Sequence, residues 1–488
     1  MKSLREILQD VLVLESAGSL NVHVSGLEIN SRQVRENNLF AAVKGTLVDG
    51  HSFIPNAIEA GATVILCENF PQELNKNLTW IKVKDVPEAL GVIASSFYGH
   101  PSKEIQLIGV TGTNGKTSVV TFLYHVFEEA GFPSGLISTI KSIVHKEEYE
   151  ATHTTPDVIT LNKLLRQMAD TGCSYVFMEV SSHAIDQKRI AGLTFKGGVF
   201  TNLTHDHLDY HKTFKNYLTA KKKFFDNLPV DSFALINTDD KNARVMVQNC
   251  KARTQSYGLK QIADFKGSII ERTFEGTEVR IDSKTVWVPF IGDFNIYNLL
   301  AVYGTSLNLG LDSEEVLRII SRLHPVSGRF ETIRSVKGQI AIVDYAHTPD
   351  ALLNVLGTIQ QIRKSNSKII TVVGAGGDRD KLKRPEMARI GAEMSDRLIL
   401  TSDNPRREDP EVIIQDMKAG VPADMGSSVL AIANREEAIR AACLMAENDD
   451  IILIAGKGHE TYQEINGVRH HFDDKEIIEE IFENKKMN

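Results

Sequence analysis

Short apolar runs alternate with amphipathic stretches along most of the chain, and many of these runs end in a glycine-rich or polar cluster. The strongest strand candidates are residues 61–66, 105–108, 175–178, 197–200, 340–343, 369–373, 398–401 and 451–455. Strands that alternate with helical stretches predict parallel sheets joined by crossover helices. Because ligands bind beyond the carboxyl ends of parallel strands, the pattern predicts an α/β protein whose site residues follow its strands.

The length of 488 residues predicts about three domains. Residues 1–98 have the pattern of a small α/β domain. The stretch Tyr98–Ser102 contains Gly and Pro and is a candidate linker. Residues 99–332 predict a central parallel sheet of the P-loop ATPase type, and residues 333–488 predict a Rossmann-like doubly wound sheet.

The most informative stretch runs from Gly109 to Ser118, between an apolar strand and the start of a helix. Strand, glycine loop, Lys-Thr and helix are the order of a phosphate-binding P-loop. Backbone N–H groups and the helix N-terminus would bind phosphate oxygens, Lys116 would reach the β- and γ-phosphates, and Thr117 would face Mg²⁺. Val110 stands where the general pattern has Gly, so this loop is the tighter form. The alternative is a plain glycine turn.

Polar clusters follow other predicted strands of the central unit. The loop 152–157 either offers hydroxyl groups to a substrate or caps a helix. Glu179 ends an apolar strand, which favours a metal carboxylate over a surface acid. The His- and Asp-rich segment 205–211 favours metal or phosphate chemistry over a solvated loop. Lys221–Lys223 have the composition of a basic helix face.

Two further pairs of polar residues each allow either a binding role or a structural role. Asn295 and Asn298 share one helical face, where paired amides either read a nucleobase or cap the helix. Ser31 and Arg32 follow a strand and either hold an anionic ligand or form a surface turn. The glycine loop at 374–377 resembles a dinucleotide-binding turn but lacks the full fingerprint. Predicted strands of the third unit also end in polar or glycine-rich segments, at residues 344–349, 403–406 and 456–460.

Composition and charge argue against several classes of protein. The net charge of −8 and the absence of a long basic run argue against a general nucleic-acid-binding protein. Four widely spaced cysteines predict reduced thiols rather than disulfides or a metal site. No apolar run approaches the ~20 residues of a membrane span, and the N-terminus lacks a signal sequence. We therefore expect a cytoplasmic protein that binds neither nucleic acid nor membrane.

Taken together, these motifs resemble the Mur ligases, the ATP-dependent amide-forming enzymes of peptidoglycan synthesis. The resemblance covers all three units in the same order, and it rests on Thr111–Thr117, Glu179–His183, Asp206–His211, Ala220 with Lys221, Asn295 with Asn298, Gly328–Glu331 and Asp344–Pro349. Within the family, Asp403–Arg406 resembles the amino-acid recognition motif of the members that add meso-diaminopimelate. The resemblance therefore implies ATP and Mg²⁺ as cofactors and UDP-N-acetylmuramoyl-L-alanyl-D-glutamate and meso-diaminopimelate as substrates, with the working protein expected to be a monomer.

The resemblance also assigns residues to each ligand. Mg²⁺ would be held by Thr117, Glu179, His207 and Lys221, the last as a carbamylated lysine, which replaces the basic-face interpretation. ATP would be bound by Gly112, Thr113, Asn114, Gly115, Lys116, Thr117, Ser118, Asn295, Asn298, Arg329, Asp344 and His347. The UDP-muramoyl-peptide would meet Ser31, Thr154, Thr155, Ser181 and Arg189. Diaminopimelate would be held by Arg379, Asp403, Asn404, Pro405, Arg406, Gly456 and Glu460, so that the loop 374–377 becomes a substrate turn.

The implied reaction activates a carboxylate as an acyl phosphate, which an amine then attacks, with Lys116, Glu179, His207 and Lys221 as the catalytic set. The alternatives are the sister ligase that adds L-lysine, a folylpolyglutamate synthase-like ligase, and a nucleotide switch without catalysis. The Asp403–Arg406 stretch argues against the lysine-adding enzyme. A folylpolyglutamate synthase would need a pterin site, and a switch would bind ATP without amino-acid-dependent phosphate release.

Overall fold

The computed structural model describes residues 1–45, 48–151 and 153–484. Three large sheets occupy successive stretches of the chain, and two two-stranded pairs accompany them. Thr152, the first residue of the polar loop predicted at 152–157, lies outside the described residues. The α/β fold class predicted from the strand pattern is confirmed.

The first sheet has five strands in the order β2-β7-β6-β5-β4. Its central strands are parallel and almost wholly buried, as expected for apolar runs covered on both faces. The elements of this part are β1 (Lys2–Ser3), α1 (Leu4–Ile7), β2 (Val13–Ala17), β3 (His23–Val24), β4 (Gly26–Glu28), β5 (Asn38–Ala41), a 3₁₀ turn (Gly50–Phe53), α2 (Ile54–Glu59), β6 (Ala62–Cys67), β7 (Thr79–Val83) and α3 (Val86–Phe97).

The second part of the chain begins with strands and helices that alternate around the glycine loop. Its first elements are a 3₁₀ turn (Pro101–Lys103), β8 (Gln106–Thr111), α4 (Lys116–Glu129), β9 (Ser134–Ile137), β10 (Lys141–Val144), β11 (Glu147–Glu150), α5 (Val158–Asp170), β12 (Tyr175–Glu179), α6 (Ser182–Asp186), β13 (Gly197–Phe200), α7 (Leu208–His211) and α8 (Phe214–Asp226). The elements that follow are β14 (Phe233–Asn237), α9 (Ala243–Met246), β15 (Arg253–Gly258), β16 (Phe265–Arg272), β17 (Thr277–Ile281), β18 (Lys284–Val288), α10 (Asp293–Asn308) and α11 (Ser313–Ile320).

The second sheet has eleven strands in the order β11-β10-β9-β12-β8-β13-β14-β15-β16-β17-β18. Its centre, from β9 to β16, is parallel, as the sequence pattern predicts. The antiparallel strands β10 and β11 at one end, and β17 and β18 at the other, extend it beyond that prediction. The parallel centre brings the carboxyl ends of β8, β12 and β13 to one edge.

The third sheet has the order β19-β20-β24-β21-β22-β23 and is parallel apart from β19. Its elements are β19 (Glu331–Arg334), β20 (Ile340–Asp344), α12 (Pro349–Ile362), β21 (Ile369–Ala375), α13 (Lys383–Met394), β22 (Arg397–Ser402), α14 (Pro410–Lys418), a 3₁₀ turn (Ala423–Ser428), β23 (Val429–Ala431), α15 (Arg435–Met445), β24 (Ile451–Ala455), the hairpin β25 (Tyr462–Ile465) and β26 (Val468–His471), and α16 (Asp474–Asn484). The boundary predicted between residues 332 and 333 falls inside β19. Both predicted domain boundaries stay predictions.

Two observations concern the chain as a whole. Within residues 1–45, 48–151 and 153–484, none of the helices combines the length and apolar character that crossing a membrane requires. The four cysteines, all within the described ranges, form no disulfide with one another.

A buried ion pair ties the end of the chain to the third sheet. Arg435 and Asp474 have no exposed side-chain surface, and Arg435 Nε and Nη2 donate to the two oxygens of Asp474 at 2.8 and 2.7 Å. Arg435 Nη2 also donates to the carbonyl oxygen of Ala455 at 3.1 Å. The pair therefore fixes α15 and α16 against the carboxyl end of β24.

We predict that Asp474→Ala lowers the free energy of unfolding by about 3–5 kcal/mol, because it leaves the buried Arg435 guanidinium without its hydrogen-bonded ion-pair partner. Urea denaturation followed by circular dichroism measures this change. Glu393→Ala is the control, since it removes an exposed pair with Arg389 on α13 and should cost about 0.5 kcal/mol or less. Similar losses for both variants would contradict the prediction.

Candidate active site

The glycine loop between β8 and α4 forms a cradle that opens at the edge of the second sheet. Gly115 has φ +84° and precedes the first residue of α4. A Cβ at this position would lie 2.4 Å from Asn298 Oδ1, so the loop follows a path that only glycine permits. The backbone N–H of Asn114 donates to Asn202 Oδ1, and Thr201 Oγ1 donates to the Asn114 carbonyl oxygen.

Lys116 is the first residue of α4 and folds back over the loop. Its Nζ donates to the carbonyl oxygens of Gly112 and Thr113 at 3.0 and 2.7 Å. Burial lowers the pKa of Lys116, while the nearby carboxylates of Glu179 and Asp206 oppose that change. A cation held over a glycine loop by two carbonyl groups is well placed to move onto an anionic ligand.

Glu179 at the end of β12 is 1% exposed and has one saturated and one orphaned oxygen. Oε1 accepts hydrogen bonds from Thr117 Oγ1 at 2.9 Å, Thr139 N at 2.8 Å and Thr139 Oγ1 at 3.1 Å. Oε2 is buried and has no hydrogen-bond partner. A buried carboxylate oxygen without a donor is costly in a folded protein, and a cation would remove that cost.

Lys221 on α8 is buried beside the glycine loop. Its Nζ donates to the Gly112 carbonyl oxygen at 2.8 Å and lies 4.8 Å from the centre of the Tyr217 ring. Burial, followed by the positive charge of Lys116, lowers the pKa of Lys221 well below its ordinary value. This shift favours the neutral amine, unlike the ammonium of an exposed basic helix face.

His207 lies beside the same loop, in a cluster of rings. It has φ +54° and precedes the short helix α7. Its Nε2 is 3.4 Å from Asp206 Oδ2, and its ring centre is 4.8 Å from that of His183. Throughout residues 1–45, 48–151 and 153–484, no group of three His, Cys, Asp or Glu side chains has an arrangement suited to a metal ion. Any metal role of the segment 205–211 therefore needs other kinds of ligand.

A cavity of about 390 Å³ opens from the glycine loop toward α10 and the third sheet. It is lined by seven of the residues predicted for a nucleotide, namely Asn114, Gly115, Ser118, Asn295, Asn298, Arg329 and Asp344. Asn295 Nδ2 donates to the Ile291 carbonyl oxygen, so that amide supports the helix start, which is one of the two interpretations left open by the sequence.

The third sheet closes this cavity from the other side. Arg329 lies 4.5 Å above the Tyr345 ring, and its Nη2 donates to Thr117 Oγ1 at 3.4 Å. Asp344 accepts a hydrogen bond from Phe330 N, and burial raises the pKa of Asp344 to about 6. His347 is not among the residues that line the cavity. Its Nδ1 donates to the Tyr345 carbonyl oxygen, and its own carbonyl accepts from Lys383 Nζ at 2.8 Å.

Three residues predicted for the muramoyl-peptide meet next to Glu179. Thr155 Oγ1 donates to the Glu179 carbonyl oxygen at 2.8 Å and accepts from Ser181 N at 3.2 Å. Arg189 Nη1 donates to the Thr155 carbonyl oxygen at 2.9 Å. The hydroxyl groups of Thr154 and Thr139 are hydrogen-bonded at 3.1 Å. Ser31 follows β4 of the first sheet and is not part of this hydrogen-bonded group.

The residues predicted for diaminopimelate line the carboxyl ends of β21, β22 and β24. Asn404 Nδ2 donates to Glu460 Oε2 at 2.7 Å, and Arg406 Nη1 donates to the Gly377 carbonyl oxygen at 2.8 Å. A Cβ on Gly456 would lie 2.6 Å from Asp403 Oδ2, which keeps this turn close to the carboxylate. Pro405 is buried and Arg379 is exposed on the neighbouring loop.

Sequence reasoning missed several residues that complete these groups. Thr139 donates twice to Glu179, and Gln187 Oε1 accepts from Arg189 Nη2 at 2.6 Å. Asp350 accepts from Asn114 Nδ2 at 3.1 Å and joins α12 to the glycine loop. Asp350 directly follows the Asp344–Pro349 segment that the sequence singled out, so that motif was a usable signal. Thr139 carried no comparable signal.

Comparison with protein families matches most of the chain, in three segments. The Mur ligase family catalytic domain matches residues 23–98, the Mur ligase middle domain residues 110–306, and the Mur ligase glutamate ligase domain residues 328–458. The order of these three matches is the order predicted from the sequence.

Individual proteins agree with this assignment. The UDP-N-acetylmuramoyl-L-alanyl-D-glutamate–2,6-diaminopimelate ligases of Bacteroides fragilis and Bacteroides thetaiotaomicron are each 55% identical over 479 residues, which is 98% of this chain and 99% of theirs. A solved structure bearing the same enzyme name is 30% identical, superposes with a TM-score of 0.69 and covers 100% of both chains. The resemblance inferred from the motifs is thus confirmed, and the chain belongs to the Mur ligase family.

Proposed function

We propose that this chain is the ligase that uses ATP to join meso-diaminopimelate to UDP-N-acetylmuramoyl-L-alanyl-D-glutamate. The observation that carries the proposal is a chain of contacts that links three sites: Arg329 donates to Thr117 beside Glu179 and lies over the Tyr345 ring, and the Tyr345 hydroxyl donates to Glu460. The Lys116 loop, the orphaned oxygen of Glu179 and the Asn404–Arg406 pocket all lie at carboxyl ends of parallel strands. The identity of the substrates is inferred from the enzyme names of the relatives.

The proposed reaction has two steps. The side-chain carboxylate of the D-glutamyl residue attacks the γ-phosphorus of ATP, which yields an acyl phosphate and ADP. The amine of diaminopimelate then attacks the acyl carbon and loses a proton, and phosphate leaves. The contribution of the protein is to align the three substrates and to offset negative charge with Lys116. The described site offers no side chain that must act as a covalent nucleophile.

Thr117, Glu179, His207 and Lys221 are the residues proposed to hold Mg²⁺. The orphaned Oε2 of Glu179 fits this assignment, because Mg²⁺ prefers oxygen ligands and carboxylates above all. When bound, Mg²⁺ supplies positive charge next to the phosphates. Lys221 fits as a carbamate, since a neutral buried amine can capture CO₂ and become an anion.

The remaining residues divide among the three substrates. The glycine loop from Gly112 to Ser118, with Asn295, Asn298, Arg329, Asp344 and His347, is proposed to bind ATP. Ser31, Thr154, Thr155, Ser181 and Arg189 are proposed to bind the UDP-muramoyl-peptide. Arg379, Asp403–Arg406, Gly456 and Glu460 are proposed to bind diaminopimelate. We propose that the enzyme acts as a monomer in the cytoplasm, where nucleotide-linked precursors are made.

The decisive experiment measures phosphate release with ATP, Mg²⁺ and UDP-N-acetylmuramoyl-L-alanyl-D-glutamate in the presence of either meso-diaminopimelate or L-lysine. We expect release to depend on the amino acid and to be much faster with diaminopimelate. Efficient use of lysine would point to the sister ligase. Nucleotide binding without amino-acid-dependent release would point to a switch.

Arg406 is predicted to select diaminopimelate over lysine, because its planar fork suits the second carboxylate that lysine lacks. We expect Arg406→Ala to lower kcat/KM for diaminopimelate about a hundredfold or more, with the KM for ATP nearly unchanged. Steady-state kinetics measures both values. Arg407→Ala, an exposed neighbour, is the control. Equal losses toward both substrates would contradict the assignment.

Lys221 is predicted to act as a carbamate. We expect Lys221→Ala to lower kcat about a hundredfold or more, since it removes a charged group next to the phosphates. Adding a short carboxylic acid should restore part of the rate by filling the vacated space with an anion. Lys222→Ala is the control, because Lys222 pairs with Asp226 on the same helix. Unchanged activity in Lys221→Ala would rule out the role.

The path of the glycine loop is predicted to set ATP affinity. Gly115 and Gly131 have φ of +84° and +87°, but only Gly115 has an atom within 4 Å of the added Cβ. Because the two φ values are similar, both alanine variants should carry similar backbone strain. We expect Gly115→Ala alone to lower kcat/KM for ATP, about a hundredfold, by displacing the loop from Asn298. Equal activities in the two variants would show that the contact does not matter.

A further inference from the structure

Lys457 is a buried cation behind the amino-acid pocket, and the proposed reaction assigns it no role. It follows β24, and its side chain is 0% exposed. Its Nζ donates to Asn404 Oδ1 and to Glu460 Oε2, both at 3.2 Å. The ammonium also lies 5.5 Å from the centre of the Tyr462 ring. Lys457 therefore contacts two residues proposed to bind diaminopimelate without reaching the pocket itself.

The two oxygens of Glu460 differ in their surroundings. Oε2 accepts from Asn404 Nδ2 at 2.7 Å and from Lys457. Among the described residues, Oε1 receives a hydrogen bond only from the Tyr345 hydroxyl, at a long 3.4 Å. The Glu460 side chain is 16% exposed. One oxygen is thus fixed by the protein, and the other has capacity to accept a hydrogen bond from a ligand.

Charge balance explains why a buried lysine belongs here. Asp403 is buried close to Glu460, and two neighbouring carboxylates without a counter-ion cannot both stay ionised. Burial and then Asp403 raise the pKa of Glu460, whereas Lys457 lowers it. The other charged or titratable groups facing this pair from the surrounding segments are Tyr345, Lys383, Arg406, Arg435, Tyr462 and Glu464.

We propose that Lys457 is a positioning residue, which keeps Glu460 ionised and directs its Oε1 toward an ammonium group of the amino-acid substrate. The inference rests on the proposed function. Diaminopimelate carries an ammonium and a carboxylate at each end, so its recognition needs an anion beside the Arg406 fork. Lys457 favours the ionised form of this carboxylate through its hydrogen bond to Oε2, without contacting the substrate.

The test compares Lys457→Met with wild type in the phosphate-release assay at pH 7 and pH 9. Without Lys457, Glu460 takes up a proton more readily and loses its affinity for an ammonium. We expect kcat/KM for diaminopimelate, relative to wild type at the same pH, to fall about thirtyfold at pH 7 and to recover substantially at pH 9. The KM for ATP should stay within about twofold, because the nucleotide cavity does not include Lys457.

Lys364→Met is the matched control, since Lys364 forms an exposed ion pair with Asp449 in the same part of the chain. It should leave the kinetics at both pH values unchanged. A loss in Lys457→Met that is the same at pH 7 and pH 9, or an equal rise in the KM for ATP, would overturn the inference.

A double-mutant cycle keeps the test valid even if Lys457→Met folds poorly. The double variant Lys457→Met/Glu460→Gln lacks both charges, so no unpaired ion is left from this pair. If Lys457 acts through Glu460, the double variant should match Glu460→Gln within about threefold. A further loss of about tenfold or more would overturn the inference. Failure of wild type to use diaminopimelate would overturn the proposed function as well, so the two failures are distinguishable.

Discussion

The site is organised around the Glu179 carboxylate. Its Oε1 gathers three donors from Thr117 and Thr139, which ties the start of α4 and the turn before β10 to the end of β12. Its main-chain oxygen also accepts from Thr155. Because these bonds saturate one oxygen and leave the other bare, the same side chain that holds three segments together also presents a buried, unpaired anion.

A second constraint is the closeness of the third sheet to the glycine loop. Arg329 reaches Thr117, and Asp350 accepts from Asn114 across the nucleotide cavity. Each contact joins residues more than 200 positions apart in the chain. A loop that binds phosphate and a pocket that binds an amino acid can cooperate only when such contacts set their separation, because a small misplacement of reacting groups lowers the rate steeply.

Buried charge recurs at the carboxyl ends of the third sheet. The Arg435–Asp474 pair lies under β24, and Lys457 lies behind Asn404 and Glu460. Such pairs add little net stability, since desolvation offsets much of their attraction. Their contacts fix the orientation of the groups in front of them. At Glu460, Asn404 and Lys457 hold one carboxylate oxygen, and the other oxygen keeps only a long hydrogen bond from Tyr345 among the described residues.

The sequence by itself determined the fold class, the glycine loop and the Mur ligase family, because apolar periodicity and motif spacing are local properties of the chain. It also placed Glu179 and the Asp403–Arg406 stretch after their strands. It left the two roles of Asn295 open, and composition alone gave Lys221 the interpretation of an exposed basic face, which the family resemblance replaced. The tertiary structure added the burial of Lys221, because burial depends on residues distant in the chain. The contacts of Thr139 with Glu179 and of Lys457 with Asn404 have the same cause, since no local pattern encodes them.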